Sequence, residues 1–142
     1  MCNINGYSRK RIGYKVLAVK DGKFYSTFTG QEIKVGAVPL PPEYCKRLSD
    51  YWNIYLNDDP LRAKSFYNPE FVGYTSVFTD KDNANKLFSK FKRFTSSFKP
   101  VVVKIEFKGL TAAGTYDFND DDVNIIAGKY IKSITVINPK SI

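Results

Sequence analysis

The sequence predicts an α+β fold: a single domain in which two amphipathic helices pack on a largely antiparallel, twisted sheet. Three observations point there. Runs rich in β-branched and aromatic residues recur at Ile12–Lys20, 101–107 and 129–137. An Asp21-Gly22 pair follows the first run, and such pairs suit a two-residue hairpin because both turn positions take positive φ. Two other stretches, 43–56 and 79–94, carry apolar residues at helical rather than alternating spacing. The chain has 142 residues, 43% hydrophobic and 15% aromatic, enough for one core and too short for two ordinary domains.

Residues 1–11 read as a basic leader ending in Arg9, Lys10 and Arg11, and 12–142 as the single α+β domain. Ile12–Lys20 is the first strand. After the Asp21-Gly22 turn, 23–28 returns beside it with Phe24, Ser26 and Phe28 on one face. Thr29-Gly30 turns the chain toward a short strand at 32–35. Pro39, Pro41 and Pro42 stiffen a linker and open the first helix, 43–56, which Asp58-Asp59-Pro60 stops. Residues 61–70 read as loop and 71–78 as strand. Thr79, with Asp82 three residues on, makes a capping-box pattern for the second helix. That helix is expected to reach Phe94, with Ala84, Leu87, Phe88 and Phe91 as its apolar face. The strand at 101–107 turns Val101, Val103, Ile105 and Phe107 inward. Residues 108–114 read as a small-residue connection, 115–118 as a short strand, 120–122 as a surface turn and 129–137 as the closing strand.

Lys and Arg number 22 against 14 Asp and Glu, a net charge of +8 with a pI near 9.4. That balance draws a small domain toward phosphates, anionic membranes or acidic protein surfaces, and its sign argues against a mimic of DNA, which must carry dense negative charge. No apolar run has the length of a membrane helix, and residues 1–10 lack a signal-peptide core. Cys2 and Cys45 are isolated thiols, which suits a reducing compartment. The expected setting is therefore cytoplasmic, with no membrane partner.

The absence of histidine excludes Ser-His-Asp and Cys-His nucleophile systems and His-ligated zinc. No Gly-rich phosphate loop is present. The acid run Asp117-Phe118-Asn119-Asp120-Asp121-Asp122 begins like a calcium loop, then lacks the sixth-position Gly and the twelfth-position Glu. No metal, cofactor or catalytic residue is expected.

The second helix carries the clearest charge pattern. At about 100° per residue, Lys86, Lys90 and Arg93 fall within about 60° of one another, opposite the apolar face. Such a row is either a solvated helix face or a phosphate-contacting ridge, joined by Arg9, Lys10 and Arg11 and by Lys92 and Lys99. Tyr25 and Tyr74 are the candidate base-stacking residues. Tyr44, Leu48, Trp52 and Tyr55 form an aromatic stripe that either packs on the sheet or presents a protein-binding face.

The blocks Met1-Cys2, Gly13-Tyr14-Lys15-Val16, Asp21-Gly22-Lys23-Phe24-Tyr25-Ser26 and Lys34-Val35-Gly36 resemble a set of small phage and prokaryotic proteins with no assigned activity. Gly73-Tyr74-Thr75-Ser76-Val77-Phe78-Thr79 would be their second block. The resemblance implies a viral or mobile-element origin, where accessory proteins bind host defence components or their nucleotide signals. A fainter similarity is to ADP-ribosyltransferases, with Arg9 or Arg11 in place of the first-strand arginine and Thr75-Ser76 echoing the Ser-Thr-Ser strand. The late Glu-x-Glu or Gln-x-Glu of that family is missing, and Glu106 is the last glutamate in the chain.

The leading expectation is a non-enzymatic, virus-encoded accessory protein that binds an anionic partner, a nucleotide signal or a nucleic acid, to counter host defence. A host-protein binder working through Tyr44–Tyr55 is the alternative, and an NAD-dependent transferase the second. The nucleotide reading further implies a homo-oligomer, since a short domain encloses a ligand most easily between copies.

Overall fold

The computed structural model describes residues 2–27, 32–37, 75–90, 99–118 and 121–137. They form ten strands and one helix: β1 (Cys2–Ser8), β2 (Ile12–Lys20), β3 (Lys23–Ser26), β4 (Glu32–Ile33), β5 (Gly36–Ala37), β6 (Thr75–Phe78), α1 (Lys81–Ser89), β7 (Lys99–Lys108), β8 (Thr111–Phe118), β9 (Asp121–Gly128) and β10 (Tyr130–Val136). All pair antiparallel in one sheet, in the order β1-β8-β9-β6-β2-β7-β10-β5, with β3 and then β4 continuing from β2.

This order cannot belong to a flat sheet. The pairs β1–β2, β7–β8 and β9–β10 are each four strand spacings apart, about 19 Å at about 4.8 Å per spacing. Yet Lys108 and Thr111 are joined by two residues, and three chain steps reach at most about 11 Å. Gly128 and Tyr130 are joined by one residue, Ser8 and Ile12 by three. The sheet therefore curls on itself, and three long segments, 2–20, 99–118 and 121–136, run through both layers and bend at the same level. β6 bridges the layers, pairing with β9 along its length and with β2 at Tyr14–Phe78.

The curl is packed from both sides. On one face Leu17, Val77, Val101, Val103, Ile105, Phe107, Ile126 and Ile131 are buried in one cluster with Ile33 of β4. Phe107 of β7 reaches β9, three strands away in the sheet order, and its ring fills the space in which Gly128 would carry a Cβ. On the other face α1 sets Ala84 and Leu87 against Val16, Phe78, Val102, Tyr116 and Ile125, with the Phe78 and Tyr116 rings edge to face at 5.8 Å. Thus β7 buries its odd-numbered residues from Val101 to Phe107 on one face and Val102 on the other, where Lys104 and Glu106 stay half-exposed.

The expected α+β fold with two amphipathic helices is corrected: the described residues are mostly antiparallel strand, with one short helix among them. β8 (TAAGTYDF) and β9 (DDVNIIAG) account for much of the difference. Ala, Gly and Asp have low strand propensity, but here each segment lies between two paired neighbours, and that context decides. Residues 108–114, expected as a connection, already enter β8 at Thr111, and part of the expected leader is β1, paired to β8 from Cys2 to Ser8. The expected helix 43–56 lies outside the described residues.

The second helix is present as α1, and its expected continuation through Phe91 to Phe94 lies outside the described residues. Its N-cap is Asp80, whose side chain accepts the Asp82 N–H at 2.9 Å, rather than Thr79. Thr79 instead donates to the Asn124 carbonyl through its N–H (3.2 Å) and its Oγ1 (3.3 Å), tying the helix entry to β9. The Asp21-Gly22 hairpin forms as expected, with φ of 53° and 75° and Lys20 opposite Lys23.

Gly128→Ala should cost about 1–3 kcal/mol or more, because the new methyl and the Phe107 ring claim one space. Urea denaturation checks this, and pairing the change with Phe107→Leu should recover part of the loss. Asp80→Ala should cost about 1 kcal/mol through the lost cap.

Candidate functional site

A strand that bends sharply exposes the residues at the bend, and here each bend carries cations. The β1–β2 bend is Arg9-Lys10-Arg11, the β7–β8 bend begins at Lys108 and continues through Gly109 and Leu110, and the β9–β10 bend is Lys129. Gly109 takes φ +87°, which a side chain rarely adopts and which turns the chain into β8.

Hydrogen bonds hold the bends side by side. Thr111, fully buried, sets its Oγ1 within reach of the carbonyls of Ser8 (3.1 Å) and Lys10, which share its one hydroxyl proton. The Phe107 N–H donates to the Arg11 carbonyl at 2.7 Å, and Tyr130 lies opposite Lys108 in the β7–β10 ladder. Arg9, Lys10, Arg11, Lys108 and Lys129 thus share a ridge two strand spacings wide, about 10 Å. All five side chains are exposed, and no acidic residue occurs in 7–12, 108–111 or 128–130. Glu106, two residues before Lys108, forms an ion pair with Lys132 at 3.3 Å.

Apolar surface accompanies the cations. Tyr7 (64% exposed), Ile12 (44%), Leu110 (61%) and Tyr130 (48%) all lie at or next to the bends. Strand register shows that three of them share a face. Ile12 alternates with Val16, Tyr130 pairs with Lys108 on the side opposite Phe107, and Tyr7 pairs with Ala112 and so with Ala127, in step with Ile125. This is the face that carries α1. The helix covers it over Val16, Val102, Tyr116 and Ile125, four to seven residues from the bends, and leaves the bend end open.

The opposite end of the β8–β9 hairpin is acidic, with Asp117, Asp121 and Asp122 exposed and Asp117 facing Asp122 across the ladder. The acid run weighed above as a calcium loop is therefore the end of a hairpin. From Thr111 to Asp117 is six residues, so about 20 Å separates the two ends.

Of the residues singled out in the sequence, Arg9, Lys10 and Arg11 lie on this ridge. Lys86 and Lys90 are exposed on α1, away from the bends, and are not brought to them; Arg93 lies outside the described residues. Tyr25 is half-buried in β3, opposite Ala18 and Glu32, far from the ridge. Tyr74, Tyr44, Leu48, Trp52 and Tyr55 lie outside the described residues. Sequence reasoning missed Lys108, Lys129, Tyr7 and Tyr130. The signal was faint: a Lys beside a Gly at the end of an apolar run, at 108–109 and again at 128–129.

Two hollows elsewhere are small. Lys15, buried in β2, donates its Nζ to the Ser76 carbonyl at 2.8 Å beside a cavity of about 10 Å³ that Phe78, Leu87 and Tyr116 help to line. That is room for about one water. A shallow groove of about 220 Å³ lies between Lys23, Phe24, Ile33, Lys34 and Ile134. Neither reaches the roughly 300 Å³ of an ordinary small-molecule site. No helix among the described residues is long and apolar enough to cross a membrane.

Thr111→Val should cost about 1 kcal/mol, since it keeps the shape and removes the hydroxyl donor that the part-buried Ser8 and Lys10 carbonyls share. Amide exchange should quicken at residues 9–12 before it does in α1, and Thr111→Ser should restore most of the protection. No family model, no curated protein and no solved structure matches this chain, so the reading of the ridge rests on its own geometry and charge.

Proposed function

We propose that this protein binds a nucleic acid without transforming it, with phosphates lying along Arg9, Lys10, Arg11, Lys108 and Lys129. The observation that carries this reading is the row of five exposed cations across three adjacent bends that hold no acidic residue, with nearby Glu106 paired to Lys132. A repeated anion suits such a row better than a single nucleotide, which needs an enclosed pocket. The acidic end of β8–β9 favours one orientation, with the polyanion held at the basic end. In this reading the chain is a virus-encoded accessory protein working in the host cytoplasm against host defence, as its resemblance to small phage proteins implies.

The test is the salt dependence of binding. Replacing the five ridge cations with Gln should lower the log–log slope of affinity against salt by about 3.5 on a single strand, or about 4.5 on a duplex. Lys86→Gln with Lys90→Gln should change the slope by less than half as much. A ridge variant that keeps the parent's slope would remove the ridge from the mechanism.

A further inference from the structure

We infer that the nucleic acid is single-stranded, with bases stacked on Tyr7 and Tyr130 to either side of the cations; this rests on the reading of the ridge as a nucleic-acid site. Tyr130 stands directly opposite Lys108 on one face of the β7–β10 ladder, so its ring and the Lys108 stem are neighbours. Tyr7 belongs to the same face, two residues before Arg9 on the edge strand β1. The two bends that they flank, β1–β2 and β9–β10, stand on either side of the β7–β8 bend, two strand spacings apart along the ridge, about 10 Å. Both residues keep about half or more of their surface in water, while α1 covers the same face farther from the bends, over Val16, Val102, Tyr116 and Ile125.

A duplex has little use for these rings. Its base faces are stacked inside, and reading its major groove takes a protruding helix or a two-stranded ribbon. The ridge offers bends of one to three residues instead. A single strand has phosphates for the cations and free base faces for the tyrosines, and every base stacks. Ile12 and Leu110, exposed nearby, extend the apolar ground on which unpaired bases can rest.

The experiment measures affinity for an oligo(dT) strand and an oligo(U) strand of about 15 nucleotides, within the site size of small single-strand binders. A blunt duplex of equal length and heparin, a polyanion without bases, complete the set. Tyr7→Ala and Tyr130→Ala should each weaken single-strand binding by about fivefold to a hundredfold. Heparin retention and thermal melting should stay at the parent value, and Tyr→Phe at either position should restore binding. Duplex binding as tight as single-strand binding, or tyrosine variants that bind the strands normally, would overturn this inference while the ridge stood. Loss of all binding, heparin included, in the unmodified chain would overturn the ridge reading as well.

Discussion

Everything described here depends on three short connections. One, two and three residues join strands that lie four spacings apart in the sheet, and the backbone can close those gaps only by curling the sheet. The curl brings Phe107 against Gly128, beside the larger of the two buried clusters. It also brings Tyr116 of β8 into one cluster with Val16 and Val102, the platform on which α1 sits. Because each long segment belongs to both layers, neither layer has a core or a boundary of its own.

The same connections make the ridge. A bend at the end of a sheet cannot bury its side chains, so these positions are free of core demands and open to charge. Their backbones are nonetheless tied down, through Thr111 to Ser8 and Lys10 and through Phe107 to Arg11. Five like charges held at adjacent bends repel one another, by about 1 kcal/mol per pair at 4 Å in water and less at longer range. The buried faces supply the stability that offsets this, and a polyanion would relieve it.

Local features were legible in the sequence. The Asp21-Gly22 hairpin, the alternation of Ile12–Lys20, the run at 101–107 and the apolar face of α1 each announce themselves within ten residues or so. Pairing across the chain was not. β8 and β9 mix Ala, Gly and Asp among their strand formers, and at Gly128 the reason is visible, since the Phe107 ring occupies the space of a side chain there. Arg9, Lys10 and Arg11 stand out as a run, but Lys108 and Lys129 join them only through a topology that no local pattern encodes. The tyrosines followed the same rule: Tyr25 sits in a strong strand and is half-buried, while Tyr7 and Tyr130 stand at positions that look ordinary.

The acidic hairpin end opposite the ridge has a kinetic meaning. With Asp117, Asp121 and Asp122 about 20 Å from the cations, the molecule carries a lasting charge asymmetry along the strand axis. In the field of a polyanion that asymmetry acts as a torque, turning the basic end forward while the partners are still separated by solvent. Fewer encounters are then wasted on the wrong face, and the gain falls as salt shortens the range over which the torque is felt, about 10 Å at 0.1 M. The far end of the β8–β9 hairpin, which touches nothing at the ridge, thereby shapes how often the ridge is found.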